Sequence, residues 1–231
     1  MIPCSKALQS GTCCLALGLA LLFQVPETFA QVRTTVRVTP DPVRFDRVTG
    51  GAAISIPDSQ RAFPGTTCGS GDRGPTGSGA SVVIPFGSNR ATITGAQGNG
   101  LCLFDGGTMI LSLSGGLDNI QPNFMTANTI VGDGEDDFLM VFDRPVYAVG
   151  LTFLTNKTAR EVVTFKDQFG NVIEVINIDR FTPRNERVFV GFASPIPIKS
   201  LLLDTADGSI QNEGIQAIKV GETPPGDLDA P

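Results

Sequence analysis

Hydrophobic and polar residues alternate along much of this chain, which is the pattern of half-buried β-strands. In the segment 32–38 (VRTTVRV), Val and Thr at even positions alternate with Arg and Thr at odd positions. Shorter segments with the same period, or with a brief apolar run, predict further strands over 54–56, 81–85, 91–94, 101–104 and 108–113. Asp105-Gly106-Gly107 separates the last two of these segments and predicts a three-residue hairpin loop, because glycine tolerates a positive φ.

The second half of the chain has the clearer strand pattern. Residues 138–143 (FLMVFD) are apolar on both faces, as in a central strand, and we expect Arg144-Pro145 to break the strand. Further strands are predicted over 146–154, 161–165, 171–178, 187–192, 198–204 and 215–220, with a hairpin loop over 166–170. Strands at regular spacing with turn signals between them predict an all-β fold, a jelly-roll-like antiparallel β-sandwich.

Three stretches lack a strand pattern. The Gly-rich segment 64–81 is expected to form an irregular surface loop within a single domain over 31–221. Residues 115–137 are compatible with either a short helix or a long loop. The tail 222–231 (ETPPGDLDAP) has no core-forming residues and is expected to be disordered.

Residues 1–30 have the features of a secretory signal peptide. A single charge at Lys6 is followed by an apolar stretch over 15–25 (LALGLALLFQV), and small residues, Thr28 and Ala30, occupy the positions that a signal peptidase reads. The apolar stretch is shorter than the roughly 20 residues of a membrane span, although an uncleaved anchor helix is the alternative. We therefore expect a mature chain that begins at Gln31, is secreted or periplasmic, and has no membrane span after cleavage.

The composition excludes several classes of chemistry. The chain has no His, so Ser-His-Asp and Cys-His catalytic schemes and His-based metal sites are absent, and no catalytic residue is assigned. The formal net charge of −6 and the lack of a basic run argue against a nucleic-acid partner. Two cysteines, Cys68 and Cys102, follow the signal peptide, and in an exported chain they are expected to form a disulfide bond. Free buried thiols are the alternative.

Four motifs in the second half resemble a known domain. They are FLMVFDRPVYAVGLTF, EVVTFKDQFGNVIEV, RVFVGFASPIPIKSLLL and GIQAIKV, all within residues 138–220. This region resembles the β-sandwich domain of exported bacterial proteins, many of which carry a PEP-CTERM sorting tail. The resemblance implies a jelly-roll fold and export, and it implies no activity. The sorting tail does not follow residue 221 in this sequence, so the resemblance does not imply anchoring.

An acidic cluster before the central strand is the most distinctive chemical feature. Asp133, Glu135, Asp136 and Asp137 supply closely spaced carboxylates, and oxygen ligands of this kind bind calcium. The spacing is not that of an EF-hand, because Phe138 and Arg144 occupy positions that the motif reserves for Gly and Glu. Either a calcium site or a solvated loop explains the cluster. No other cofactor is expected.

Other side chains favour structural roles. Asp204 and Asp207 could form the carboxylate pair of a glycoside hydrolase, but both lie where turn residues are common. Phenylalanines at alternate strand positions are expected in the core; these are Phe138, Phe142, Phe153, Phe165 and Phe189. Sugar-binding modules stack sugars on exposed Trp or Tyr, whereas this chain has no Trp and a single Tyr, Tyr147, inside an apolar strand.

Three functional hypotheses remain open from the sequence. The first is a non-catalytic exported interaction or extracellular-matrix protein, whose partner would be a protein or an extracellular polysaccharide. The second is a carbohydrate-binding module with a structural calcium. The third is a carboxylate-based glycoside hydrolase.

Overall fold

The computed structural model describes residues 36–65, 76–95, 100–107, 127–133, 137–154, 161–182, 187–205 and 214–226. Within these ranges the first half contains β1 (Arg37–Thr39), α1 (Pro42–Thr49), β2 (Ala52–Ile54), α2 (Ser59–Ala62), β3 (Thr76–Gly79), β4 (Ser81–Phe86), β5 (Asn89–Gly95), β6 (Gly100–Phe104) and β7 (Thr129–Asp133). The second half contains β8 (Phe138–Leu154), β9 (Glu161–Lys166), β10 (Val172–Asn177), β11 (Arg187–Thr205) and β12 (Gly214–Gly221). The described strand pairs are antiparallel, which confirms the predicted all-β class.

Two long strands, β8 and β11, belong to both layers of the sandwich. The first part of β8 pairs with β5 and with the last part of β11, which gives layer I the order β10-β9-β11-β8-β5-β4. The last part of β8 pairs with β12 and with the first part of β11, which also pairs with β1. Layer II therefore runs β1-β11-β8-β12, and beyond β12 it continues as β2 at one end and as β7-β6-β3 at the other.

The crossing between layers takes place at prolines. The β8–β11 register runs without interruption to Ala193 opposite Ala148, shifts between Ala193 and Ser200, and resumes at Ser200 opposite Val141. Pro145, Pro195 and Pro197 lie in or beside this irregular stretch, where the missing N–H of proline costs no ladder hydrogen bond. The predicted break at Arg144-Pro145, and the predicted gap over 193–197, are therefore bends within strands and do not end them.

The core lies between the two layers. Alternate side chains of β4 and β11 point inward, such as Val82 and Ile84 in layer I and Val190 and Phe192 in layer II, and these four residues belong to one buried cluster. Phe165 of β9 meets Phe192 of β11 with ring centroids 5.0 Å apart, so the aromatic residues join the two faces directly. The predicted core positions Phe138, Phe142, Phe153 and Phe165 are confirmed by their burial.

Helix α1 covers the outer face of layer II, and the sequence analysis did not predict it. Its local signals are strong: the Asp41 carboxylate accepts hydrogen bonds from the backbone N–H groups of Val43 (2.9 Å) and Arg44 (3.1 Å), and Pro42 occupies the first turn. Gly50 ends the helix at a φ of 58°. Phe45 is fully buried against Ala148 and Ala193. Phe189, predicted in the core, is half-buried on this outer face beside Phe45.

Other predictions are corrected by the structure. Thr76–Gly79 forms β3, paired with β6, so the predicted irregular loop 64–81 is wrong for these residues. Thr129–Asp133 forms β7, so neither a helix nor a long loop occupies this part of 115–137. Within the tail 222–231, the Gly226 amide donates to the Val48 carbonyl (2.8 Å), and the predicted disorder of the tail stays a prediction. Residues 108–113 and 227–231, with the predictions made for them, lie outside the described residues.

Candidate functional site: a groove between two strand edges

The two lateral edges of the sandwich differ. On one side β10 of layer I faces β1 of layer II, and the Glu174 carboxylate accepts a hydrogen bond from the Val36 backbone N–H. This bond ties the two layers together. On the other side β4 of layer I faces β2 of layer II. Among the described strands β4 pairs only with β5, and β2 pairs only with β12, so both strands present an unpaired edge.

A groove of about 780 Å³ lies between these two unpaired edges. Its buried floor consists of Ile54, Ile56 and Val82. Small and apolar residues form its sides, and polar residues lie at its rim; these lining residues are Ala52, Ala53, Ser55, Pro57, Asp58, Arg61, Ala62, Ser81, Val83, Pro85, Phe86 and Gly87. A volume of this size is in the range of ligand sites, which combine apolar walls with a few polar groups.

Two polar side chains hold the wall of the groove in place. The Asn128 amide nitrogen donates to the Ile56 carbonyl (3.0 Å) and to the Asp58 carboxylate (3.2 Å), and its oxygen accepts from the Gly106 N–H (2.9 Å). The Asp105 carboxylate accepts from both the backbone N–H (2.7 Å) and the hydroxyl (2.9 Å) of Ser59 at the start of α2. The segment 56–59 is thereby fastened to the β6–β7 region. A wall held in this way is preformed for a ligand.

The backbone of β4 directs hydrogen-bonding groups toward the groove that no other described strand pairs with. Pro85 lies opposite Arg90 in the β4–β5 pair. In an antiparallel ladder, pairs that exchange two hydrogen bonds alternate with pairs that exchange none, and proline has no N–H. Pro85 is therefore at a non-hydrogen-bonded position. Two and four residues earlier, Val83 and Ser81 are at equivalent positions, so their backbone N–H and C=O groups point away from β5 and toward the groove.

Arg61 places a positive charge at the rim of the groove. It is exposed in the last turn of α2, and no carboxylate of the described residues forms an ion pair with it. The carboxylate of Asp58, also at the rim, is engaged by Asn128. The guanidinium group is therefore available to an anionic group of a ligand.

The comparisons with known proteins do not identify a family. No protein family matches this chain, and no curated protein matches it. Similar solved structures include mutants of CBM29-2, a family 29 carbohydrate-binding module. One has a TM-score of 0.29 and 8% identity, and covers 80% of this chain and 92% of that chain. A mutant complexed with mannohexaose has a TM-score of 0.28 and 7% identity over 74% and 92% of the two chains. One complexed with cellulohexaose has a TM-score of 0.28 and 7% identity over 80% and 92%.

At these TM-scores the resemblance says nothing about the ligand of this chain. The β-sandwich assignment rests on the strand pairing and the shared core described above.

The structure describes the side chain of only one of the four predicted calcium ligands, Asp137. Asp133 ends β7, and its side chain is not described. Glu135 and Asp136 lie outside the described residues. Asp137 precedes β8 and is only 3% exposed, so at this position the acidic segment is not a solvated loop. Within the described ranges no group of three acidic or Cys side chains could hold a metal ion, and the calcium site stays a prediction.

The remaining sequence predictions do not converge on the groove. Cys102 is buried in β6, and its predicted partner Cys68 lies outside the described residues, so the disulfide stays a prediction. Asp204 lies half-buried in β11, opposite Val162, and Asp207 lies outside the described residues. Tyr147 is half-buried in β8. Neither described helix has the length and hydropathy needed to span a bilayer.

The hairpin between β9 and β10 is a second well-defined surface feature. The Asp167 carboxylate accepts hydrogen bonds from the Asn171 side chain (2.9 Å), the Asn171 N–H (2.9 Å) and the Phe169 N–H (2.8 Å). These bonds hold the pKa of Asp167 below its ordinary value, and the bond from the Asn171 side chain has the largest effect. Gly170 supplies the positive φ of the turn (84°), and Phe169 is 78% exposed at its tip.

Proposed function

We propose that this chain is a non-catalytic, exported binding module that holds an extended polymer in the groove between β2 and β4. The observation that supports the proposal is the groove itself: a preformed site at an open edge of the sandwich, beside the edge of β4 that pairs with no other described strand. An extended chain is the shape of ligand that fits along such an edge.

Composition and groove lining support a non-catalytic role, and the N-terminal sequence supports a location outside the cytoplasm. The chain has no His, and the groove contains no nucleophile with a base beside it among its lining residues. Residues 1–30 have the pattern of a signal peptide, so a ligand outside the cytoplasm is expected.

A carbohydrate-binding module with a structural calcium is the second candidate. The mixed lining of the groove favours it, because Ser55, Asp58 and Ser81 could bind sugar hydroxyls while Pro85 packs against the apolar face of a ring. In this candidate the calcium ion would be held by Asp133, Glu135, Asp136 and Asp137.

Two matched variants test the site. Val83 lies in the groove on β4 and is 48% exposed, whereas Val175 lies on β10 at the opposite edge and is 57% exposed. Val83→Arg places a long charged side chain in the groove, and Val175→Arg makes the same change on the far edge. The secreted protein and both variants are screened against a glycan array and a random decapeptide library, with and without calcium.

We expect binding to be lost in Val83→Arg and kept in Val175→Arg. Circular dichroism and melting curves establish that both variants are folded. Equal binding by the two variants, or the absence of any ligand in either screen, would overturn the proposal.

A further inference from the structure

We infer that the occupant of the groove is an extended polypeptide segment that pairs with β4 as an added strand and carries an acidic side chain for Arg61. The inference rests on the proposed function, because it names the ligand class for the same groove. Strand addition to an exposed sheet edge is a general mode of peptide recognition, in which main-chain hydrogen bonds supply affinity and alternate side chains supply specificity.

The backbone of β4 is suited to this role. Val83 and Ser81 each direct an N–H and a C=O away from β5, and neighbouring strands need this alternation of donors and acceptors to pair. Pro85 offers only its carbonyl, so it limits pairing at one end of β4. Proline at a strand edge also limits unspecific pairing with other chains. The part of β4 before Pro85 is therefore left to pair, and it is long enough only for a short peptide.

The floor of the groove selects the side chains of the added strand. Successive side chains of a strand point to opposite faces. One set would therefore lie against the buried floor of Ile54, Ile56 and Val82, and the other set would point to solvent. A peptide with apolar residues at every second position matches this arrangement.

The aromatic content of the groove favours a peptide over a sugar chain. Phe86 is the aromatic residue in the lining, and its ring meets Phe142 edge to face, with centroids 6.3 Å apart. The lining therefore contains one partly buried ring and no row of exposed rings. The groove therefore offers backbone groups for strand pairing in place of a stacking surface for sugar rings.

Charge complementarity defines the remaining feature of the partner. Arg61 is exposed at the rim and has no ion-pair partner within the part of the chain that the structure describes. A carboxylate of the peptide can form a bidentate pair with its guanidinium group. A peptide that combines alternate apolar residues with an Asp or Glu beside them is therefore the expected ligand.

The experiment uses a random decapeptide library displayed on phage and panned against the immobilised secreted protein, with Val83→Arg as the counter-selection. Enriched sequences should show alternate apolar residues and at least one acidic residue. An enriched decapeptide is then synthesised in two N-methylated forms, with the methyl groups on odd or on even residues. Only alternate N–H groups of an added strand face the edge.

One N-methylated form should therefore lose at least tenfold in affinity, while the other binds like the parent peptide. Arg61→Gln should weaken binding by about tenfold, as expected for the loss of one charge-assisted contact. Val175→Arg should bind normally. If both N-methylated forms bind equally well, or Arg61→Gln leaves the affinity unchanged, the inference is wrong.

The two proposals fail in different ways. Binding of an oligosaccharide that Val83→Arg abolishes, with no enriched peptide, would overturn the inference and leave the groove as the binding site. If neither a peptide nor an oligosaccharide binds, both proposals fall.

Discussion

The Phe45 ring lies on the bare backbone of Gly191, so close that a Cβ atom added to Gly191 would be 2.5 Å from its Cδ2. Gly150 on the neighbouring strand β8 is covered in the same way, because a Cβ there would lie 2.7 Å from Cζ of Phe189 and 3.2 Å from Cε1 of Phe45. The two glycines lie beside Ala148 and Ala193, and together these small residues form a flat surface against which α1 packs.

Gly191→Ala is therefore expected to destabilise the protein by about 1–3 kcal/mol, the usual cost of overpacking. Phe45 is fully buried, so any shift of its ring would disturb its packing against Ala148 and Ala193. Gly226→Ala is the control, since a Cβ there would meet only the Val48 carbonyl oxygen at 3.6 Å. Urea unfolding of both variants measures the difference in stability. An unchanged midpoint for Gly191→Ala would show that Phe45 of α1 does not pack tightly on Gly191.

Asn89→Ala is expected to cost about 1–3 kcal/mol, because it leaves two part-buried backbone groups of Arg144 without their side-chain partner. The Asn89 side chain accepts from the Arg144 N–H (2.9 Å) and donates to the Arg144 carbonyl (3.0 Å), and it holds β8 at the bend where the strand changes layers. Ser88→Ala, which removes an exposed hydroxyl bound to the Arg144 guanidinium (2.6 Å), should cost less than about 0.5 kcal/mol. Similar thermal unfolding of the two variants would contradict this role for Asn89.

Asp167 is expected to make the stability of the β9–β10 hairpin dependent on pH. Its pKa is lower in the folded chain than the ordinary value of 3.8, chiefly because the Asn171 side chain donates to the carboxylate. The ionised side chain therefore stabilises the fold above this ordinary value, and the stabilisation is lost as the pH falls through the lower folded pKa. The difference in melting temperature between the native chain and Asp167→Asn should shrink as the pH is lowered through that range.

Asn171→Ala tests the cause of the shift. In an NMR titration, the pKa of Asp167 should rise toward its ordinary value in this variant. An unmoved titration would mean that the backbone N–H groups of Phe169 and Asn171 hold the carboxylate without help.

The predicted disulfide between Cys68 and Cys102 should contribute strongly to stability. A closed loop of this length corresponds to about 3–4 kcal/mol in the chain-entropy model. Reduction of the protein should therefore lower its melting temperature, and Cys68→Ser should reproduce the effect. Two thiols that react with an alkylating agent under native, oxidising conditions would show that the bond does not form.

The sequence predicted the strands well where the signal was local. Residues 81–85 and 215–220 lie within β4 and β12, because alternation in a short segment is enough to mark them. Helix α1 was also within reach, since Asp41, Pro42 and Gly50 are its ordinary start and stop signals, but eight residues carry little periodicity. At Arg144-Pro145 the local rule failed, because pairing with β11 and the Asn89 side chain carry the strand through the bend.

The groove could not be predicted from the sequence. It exists because β2 pairs with β12, Ile54 opposite Ile218, and this pairing joins residues far apart in the chain. Which edge stays open depends on the same long-range pairing. The roles of Asp105 and Asn128 depend on it too, because each fastens a segment that is distant in sequence.

Because β8 and β11 run through both layers, neither layer can come apart while the other stays intact. In a sandwich whose layers share no strand, one sheet can unfold while the other stays folded. Here the unfolding of one layer would have to interrupt β8 and β11 at the bends where they cross between layers. The amide protons of β8 and β11 in the two layers should therefore exchange with solvent in the same event, and the two layers should unfold as a single cooperative unit.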